Sequence, residues 1–84
     1  MSYDNYDYID PVETTNHVMI RKEPRTDSDV VTEVDAGIRM SAASSVQGGS
    51  YHDCGGGSDW LPVAYEFAGT TLHGFLAKHC TRLV

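Results

Sequence analysis

Short runs of alternating apolar and polar residues follow one another from His17 to the end of the chain. In HVMIR the apolar Val18 and Ile20 are two positions apart, and WLPVAYEF continues the same spacing. A period of two is typical of a strand with one buried face. No segment longer than a few residues repeats its apolar positions at helical spacing. The pattern therefore predicts an all-β protein.

Turn-forming residues separate the predicted strands. Asp35, Ala36 and Gly37 predict a tight turn and AGTT predicts a hairpin turn, because glycine tolerates positive φ. The strands predicted from the pattern are HVMIR, VVTEV, IRMSA, WLPVAYEF, LHGFLA and the end of KHCTRLV. Five to six short strands in about 68 residues indicate a small barrel or sandwich. The positions expected to be buried are Val18, Ile20, Val31, Val34, Ile38, Val63 and Leu76.

A glycine-rich stretch interrupts this pattern before the WLPVAYEF strand. The segment QGGSYHDCGGGSD holds five of the eight glycines, and we predict that it is a long flexible loop. Pro62 lies within the strand that follows. Since proline cannot donate a ladder hydrogen bond, we expect this strand to lie at a sheet edge or to face solvent there.

The first 16 residues differ in composition from the rest of the chain. They contain three tyrosines and four acidic residues, with no Lys or Arg. Their spacing fits neither a strand nor a helix, so residues 1–16 are predicted to be an acidic, disordered N-terminal arm, and residues 17–84 the folded domain. The alternative is an arm whose tyrosines, Tyr3, Tyr6 and Tyr8, dock on the domain or on a partner.

Several motifs follow one another in a characteristic order. A strand of the form apolar-x-apolar-Arg leads into a loop with proline, then an apolar pair, a glycine turn and another strand. After a variable loop come a tryptophan with valine three residues later, a glycine hairpin and a Gly-aromatic-apolar signature. The residues that carry these motifs are Val18, Ile20, Arg21, Pro24, Thr26, Ser28, Val30, Val31, Val34, Gly37, Ile38, Met40, Trp60, Val63, Gly69, Gly74, Phe75 and Leu76.

In this order the motifs resemble the bacterial SH3 domain family, called SH3b, over residues 17–84. The resemblance implies an SH3-like barrel of five to six antiparallel strands with a flexible N-terminal arm. It also implies a long excursion after Arg21, which Pro24 stiffens at low entropic cost. We expect Arg21 to hydrogen-bond to carbonyl groups of this loop, or to pair with Asp27 or Asp29.

Charge and hydropathy exclude two classes of protein. The formal net charge is −6, so there is no basic field for nucleic-acid binding. No apolar run approaches the roughly 20 residues that cross a bilayer, so membrane insertion is not expected. The N-terminal residues show no secretory signal, which predicts a cytoplasmic protein, or a secreted one if the chain is a mature form.

Two cysteines and four histidines are the candidates for metal or thiol chemistry. The spacings HDC and HC do not match structural zinc sites, so no metal or other cofactor is expected. No third group is placed to orient a Cys–His pair, and no catalytic residue is predicted. A disulfide between Cys54 and Cys80 would close a loop of about 27 residues, whereas a reducing cytosol would keep both thiols free. The residues leave this alternative open.

The function predicted from these features is a non-catalytic interaction module that binds a protein or peptide partner, with self-association through free sheet edges as a further partner class. The resemblance implies that the loop of residues 22–29, the glycine-rich loop and the exposed part of the Trp60 strand flank one groove. Aromatic side chains that face outward there would make it a shallow groove for an extended ligand. The candidate ligand-binding residues are Tyr51, Trp60, Tyr65, Asp27 and Asp29. The alternatives are a cell-wall (peptidoglycan) binding module and a small metal- or thiol-dependent protein that uses the Cys/His cluster.

Overall fold

Eight strands make up most of the chain in a computed structural model that describes residues 6–84. Their bounds are β1 Asp10–Thr14, β2 Val18–Arg21, β3 Val30–Val34, β4 Arg39–Ala42, β5 Val46–Tyr51, β6 Gly57–Phe67, β7 Thr70–Ala77 and β8 Thr81–Leu83. Two single 3₁₀ turns, Asp53–Gly55 and Lys78–Cys80, are the helical segments of this part of the chain. The prediction of an all-β protein is confirmed. No helix within residues 6–84 is long and apolar enough to span a membrane.

All eight strands belong to one antiparallel sheet. Their order is β3-β2-β7-β6-β4-β1-β8, and β5 pairs with β6 outside this path. The 11-residue strand β6 is central, because it pairs with β7, β4 and β5. The expected count of five to six strands is therefore too low, since β1 and β5 come from segments that were predicted to be irregular.

The period-two pattern positions the core largely as expected. Val18, Ile20, Val34, Val63 and Leu76 are buried. The remaining two expected core positions, Ile38 and Val31, differ: Ile38 is partly buried against the core, and Val31 is 37% exposed. The prediction for Val31 is wrong because β3 is an end strand of the sheet, where fewer neighbours cover the side chains.

Part of the predicted N-terminal arm is a strand of the sheet. Asp10–Thr14 pairs with β4 on one side and with β8 on the other, and Val12 and Thr14 are buried. Thr14 donates its hydroxyl to the carbonyl of Asp35 at 2.7 Å and accepts from the amide of Ile38 at 3.0 Å. The prediction of disorder over residues 1–16 is wrong for this segment, because both of its edges are paired.

The tyrosines of the arm that lie within the described residues also contact the domain. The ring of Tyr6 meets Phe75 edge-on at 6.1 Å between centroids, and Tyr8 lies 5.3 Å from the ring of His73. The docking alternative therefore describes these two side chains. Tyr3 lies outside the described residues.

The glycine-rich segment is largely ordered by pairing. Its residues Val46–Tyr51 form β5 on β6, and the prediction of a long flexible loop is wrong there. The glycine at position 48 is explained by the close approach of β5 to the Pro24 loop and to Trp60. A Cβ on Gly48 would lie 2.6 Å from Cδ1 of Trp60 and would overlap Pro24. Glycine stands here because the Pro24 loop and the indole leave no room for a side chain.

Pro62 lies inside the sheet and is fully buried, so the expected edge position is wrong. Its carbonyl accepts from the amide of Ala43 at 2.9 Å. Since the amide and carbonyl of one strand residue point to the same side, the missing donor faces away from β7. On that side, pairing with β4 includes Val63 and pairing with β5 starts at Trp60. Proline therefore occupies the junction between two partner strands.

The predicted turns and the Arg21 contact agree with the structure. Ala68 and Gly69 join β6 to β7 and both have positive φ, as a two-residue hairpin of the right twist requires. Gly37 also has positive φ. Arg21 donates from Nη1 to the carbonyl of Ser28 at 3.0 Å, which confirms the predicted bond to a loop carbonyl.

Candidate functional site

A cleft of about 280 Å³ opens between β2, the loop of residues 22–29 and the 3₁₀ turn Asp53–Gly55. We call it the aromatic-floored cleft. The residues that line it are His17, Val18, Met19, Arg21, Thr26, Tyr51, Asp53, Trp60 and Ala77. Three segments that are distant in the sequence therefore meet here: the Pro24 loop, the glycine-rich segment and the start of the WLPVAYEF strand.

The floor of the cleft is formed by two aromatic rings. Tyr51 and Trp60 meet edge-on at 5.3 Å, and their exposed fractions are only 3% and 2%. The indole Nε1–H donates to the carbonyl of Gly49 at 2.8 Å, and the phenol donates to the carbonyl of Asp59 at 2.8 Å. These rings are core residues that line the cleft, so the shallow aromatic groove expected here is reduced to the floor of the cleft.

The loop of residues 22–29 forms one wall and is tied to its surroundings. The amide of Gly49 donates to the carbonyl of Pro24 at 2.9 Å, which attaches the loop to β5. Inside the loop, the buried hydroxyl of Ser28 accepts from the amide of Glu23 at 2.9 Å. Arg21 holds the end of the loop through the carbonyl of Ser28. A ligand in the cleft would meet a wall whose shape is already set.

The two acidic candidate residues of this loop have different surroundings. Asp27 is exposed and its carboxylate accepts from Nη1 of Arg25 at 2.8 Å. This hydrogen bond to the guanidinium lowers the pKa of Asp27 from its ordinary value. Arg25 also pairs with Glu23 at 3.0 Å. Asp29 accepts the amide of Lys22 with its main-chain carbonyl at 2.9 Å and is exposed. Neither carboxylate lines the cleft itself, although both belong to the loop that contributes Thr26 to its wall.

The opposite wall is held by a disulfide. Cys54 and Cys80 are bridged, with their Cα atoms 5.4 Å apart, inside the usual range for this bond. The bridge joins the two 3₁₀ turns. Beside it, Nδ1–H of His79 donates to the carbonyl of Gly56 at 2.8 Å, and its ring meets Tyr51 edge-on at 5.9 Å. The wall that carries Asp53 is therefore connected to the end of β7 by both covalent and polar contacts.

Tyr65 is the candidate that the fold does not bring to this site. It is partly buried near the tip of the β6–β7 hairpin and stacks on Phe67 at 6.0 Å. Position 65 is five residues along β6 from Trp60, which separates the two residues by roughly 17 Å along the strand and places them on opposite faces of the sheet. The strand direction carries Tyr65 away from the cleft.

The elements that form or flank the cleft carry more acidic than basic side chains. β2, the loop of residues 22–29, β3, the following turn and the Asp53–Gly55 turn hold six carboxylates and three Lys or Arg side chains, of which Asp53 and Arg21 line the cleft itself. The acids are Glu23, Asp27, Asp29, Glu33, Asp35 and Asp53, and the cations are Arg21, Lys22 and Arg25. The surplus is negative even though Arg25 bridges two of the acids. A positively charged or neutral partner is electrostatically favoured at this surface.

His17 adds a titratable group to the edge of the cleft. Its Nε2 lies 2.9 Å from a carboxylate oxygen of Glu33, and its Nδ1 lies 3.2 Å from Asp35. The hydrogen bond to Asp35, followed by that to Glu33, raises the pKa of His17 above its ordinary value of 6.5. Below that raised value, the imidazolium neutralises part of the negative surface.

Sequence reasoning placed the loop that holds Thr26 at the binding face but did not identify His17 and Met19 as cleft residues. The sequence signal for the cleft was the glycine pair Gly48 and Gly49, just before Tyr51. Glycine there marks the close approach of this segment to the Pro24 loop and Trp60. Within residues 6–84 no group of three His, Cys, Asp or Glu side chains is placed to hold a metal ion. Cys54 and Cys80 are bridged to each other, so neither is a free thiol.

Comparison of the chain with protein-family models, with curated proteins and with solved structures found no match. The function is therefore argued from the geometry and charge of the cleft.

Proposed function

We propose that this protein is a non-catalytic interaction module of the bacterial SH3 type, which binds an extended segment of a protein partner in the aromatic-floored cleft. One observation carries the proposal: the Pro24 loop, the glycine-rich segment and the Trp60 strand converge on one cleft above Tyr51 and Trp60. These are the segments that the family resemblance assigns to a ligand groove.

The burial pattern of the β6–β7 hairpin supports an SH3-like, curled sheet. Trp60 to Val63 and Gly74 to Ala77 are buried at every position, so both faces of the hairpin are covered. Ile20 packs on one face at Gly74, while Gly48 and Pro24 approach Trp60 on the other. Pairing of β1 with β8 places both ends of the chain at one edge of the sheet. The end strands β3 and β8 do not pair with each other within residues 6–84, so the sheet is curled and not closed.

The size and charge of the cleft favour a specific kind of segment. A volume of about 280 Å³ accommodates one or two side chains, not a folded domain. The floor offers aromatic edges, and Met19 adds an apolar wall that is 38% exposed. With the surrounding acids, the best fit is an extended peptide in which an apolar residue stands next to lysine or arginine.

The disulfide bears on the compartment in which the module works. Disulfides persist in oxidising compartments and are rare in reducing ones. The Cys54–Cys80 bridge therefore favours the secreted form of the module over the cytoplasmic one. The same bridge removes the thiols on which a thiol-dependent activity would depend.

The test is a peptide selection followed by mapping of the binding surface. Displayed random peptides of about ten residues would be selected on the full chain, and the best binder titrated while amide chemical shifts are followed. We expect shifts clustered at Met19, Thr26 and Asp53. Shifts confined to the Tyr65–Phe67 hairpin would contradict the proposal.

A pair of matched variants sharpens the result. Met19→Arg places a cation and a long side chain in the cleft and should weaken the selected peptide by about tenfold or more. Val30→Arg is the control, because Val30 has a similar exposed fraction of 42% but does not line the cleft. Equal loss of affinity in both variants would show that general charge, and not the cleft, governs binding.

A further inference from the structure

A second and larger cavity lies away from the aromatic-floored cleft, where β8, β1, β4 and β6 leave one end of the core uncovered. Its volume is about 590 Å³, within the range of small-ligand pockets. We call it the β8 pocket. Its apolar floor is Val12, Ala42 and Leu61, which are all buried. None of the proposed cleft residues contributes to it.

The strand register shows that this pocket opens on the inward face of the sheet. Asp10 pairs with Ala42, and Val12 pairs with Leu83, so all four side chains point to the face that holds the core. Leu83 is nevertheless 73% exposed. An apolar side chain on the core face of a sheet is thus left without cover at the mouth of the pocket, where a bound apolar group would bury it.

Four ionisable side chains line the pocket among the described residues, and their surroundings differ. Arg82 pairs with Glu13, which is its partner on the outward face of β1 and β8. His79 donates from Nδ1 to the carbonyl of Gly56. Lys78 is exposed on the 3₁₀ turn at the rim.

Asp10 is the fourth ionisable side chain that lines the β8 pocket, and its surroundings differ from those of Arg82, His79 and Lys78. The residue is partly buried, its side chain lies on the inward face, and its carboxylate makes no hydrogen bond or ion pair with any side chain of residues 6–84. It also lines an adjoining cavity of about 470 Å³, which shares Ala43, Ser44 and Ser45 with the β8 pocket. An inward carboxylate beside an apolar floor calls for a ligand that brings both a positive charge and apolar surface.

We propose that the β8 pocket binds an ammonium group carried on an aliphatic stem, with Asp10 as the acceptor of the ammonium. The stem packs on Val12, Leu61 and Leu83, and the hydroxyls of Ser44 and Ser45 lie beside the charged end. The net charge of −6 draws a cation towards the protein, whereas Lys78 at the rim opposes it. The chemistry is shared by a free alkylamine and by the lysine side chain of a partner.

The experiment compares probes that share one stem. Hexan-1-amine, hexan-1-ol and hexanoate would each be titrated into the full chain at neutral pH, with amide shifts followed at Val12, Ala43 and Leu83. We expect hexan-1-amine to bind there more tightly than either of the other two. An acetylated and amidated Gly-Lys-Gly peptide separates the sources: comparable shifts identify a lysine side chain as sufficient, and shifts with the amine alone identify a small-molecule amine.

Variants test the assigned acceptor. Asp10→Asn should weaken hexan-1-amine by about tenfold, as loss of one charge-assisted hydrogen bond implies. Glu66→Gln is the control, since it makes the same change in net charge on the exposed hairpin and leaves the pocket intact. Lys78→Gln should leave amine binding unchanged or strengthen it. Met19→Arg should also leave it unchanged, which separates this site from the aromatic-floored cleft.

Three results would overturn the assignment. Tighter binding of hexanoate, lost in Lys78→Gln, would identify an anion site. Equal weakening by Asp10→Asn and Glu66→Gln would show a response to net charge alone. Absence of amine binding together with a concentration-dependent dimer, abolished by Leu83→Asp in sedimentation, would show that a second copy of the chain covers the pocket.

Discussion

At the scale of single residues, several polar side chains of this protein bond to main-chain carbonyl groups of distant segments. Trp60 reaches Gly49, Thr14 reaches Asp35 and Arg21 reaches Ser28. Each bond satisfies a carbonyl that no ladder partner covers, and leaving such a group unpaired in the interior is costly. These side chains therefore fix the turns and irregular segments that surround the cleft.

Gly48 is a single residue whose replacement should test the close packing behind the cleft. A Cβ at this position would meet the Trp60 ring and the Pro24 loop, so Gly48→Ala should lower the free energy of unfolding by about 1–3 kcal/mol. Urea denaturation gives this value. Ser50→Ala, on the same strand and exposed, is the control and should change stability by less than about 0.5 kcal/mol. An unchanged midpoint for Gly48→Ala would contradict the observed contact.

His17 should titrate above its ordinary pKa of 6.5, because Asp35 and Glu33 accept hydrogen bonds from the protonated ring. Since the folded pKa is raised, the stabilisation is fully present below the unfolded pKa and is lost as the pH rises through the raised value. A proton NMR titration of the imidazole measures the midpoint.

The control for this titration removes both carboxylates. In the double variant Glu33→Gln, Asp35→Asn the midpoint should return towards 6.5, whereas Glu66→Gln should leave it in place. A wild-type midpoint at or below 6.5 would show that His17 does not hold these two partners in solution.

At the scale of elements, the strands at the two ends of the chain depend on each other. β1 and β8 are neighbours, and Val12 lies opposite Leu83. The pairing explains why a segment with weak strand character is ordered: its main-chain groups are bonded to β4 and β8, and Val12 is buried. Tertiary context here overrides the local preference.

The two 3₁₀ turns form the second pair of dependent elements, and the disulfide joins them. Reduction should lower the free energy of unfolding by about 3 kcal/mol, because the bridge closes a loop of about 27 residues in the unfolded chain. Urea denaturation with and without reductant measures the loss. The double variant Cys54→Ser, Cys80→Ser should be insensitive to reductant. Two thiols titrated in unreduced, urea-unfolded protein would show that the bridge does not form.

At the scale of the whole molecule, the acidic balance should govern how fast a basic ligand arrives. The chain carries −6, and six of its twelve carboxylates belong to the elements that form or flank the aromatic-floored cleft. Raising the salt concentration from about 50 to about 500 mM should slow association of a lysine-containing peptide and leave dissociation nearly unchanged, because screening acts on encounter. Stopped-flow or surface-binding kinetics separate the two rates. An association rate that does not depend on salt would rule out electrostatic steering.

Much of the fold could be predicted because alternation and turn chemistry are local properties. The runs at Val18–Arg21 and Arg39–Ala42 record which face of each strand is buried, and Gly37 and Gly69 record positive φ. The candidate site was harder to predict from the sequence than the fold. Tyr51 and Trp60 were recognised as its aromatic residues, but Tyr65 lies elsewhere, since periodicity does not say where along a long strand a neighbouring loop will cross it.

The sequence by itself determined that this chain is all-β, where most strands and turns lie, and that its surface is acidic. Those features follow from the side-chain period and the composition, which need no knowledge of distant neighbours. The tertiary structure alone decided that Asp10–Thr14 and Val46–Tyr51 are strands, that Pro62 is interior, and that Asp10 faces an apolar pocket. Each of these features depends on a segment that is distant in the sequence. A ladder hydrogen bond or a close approach involves two segments and cannot be inferred from either one alone.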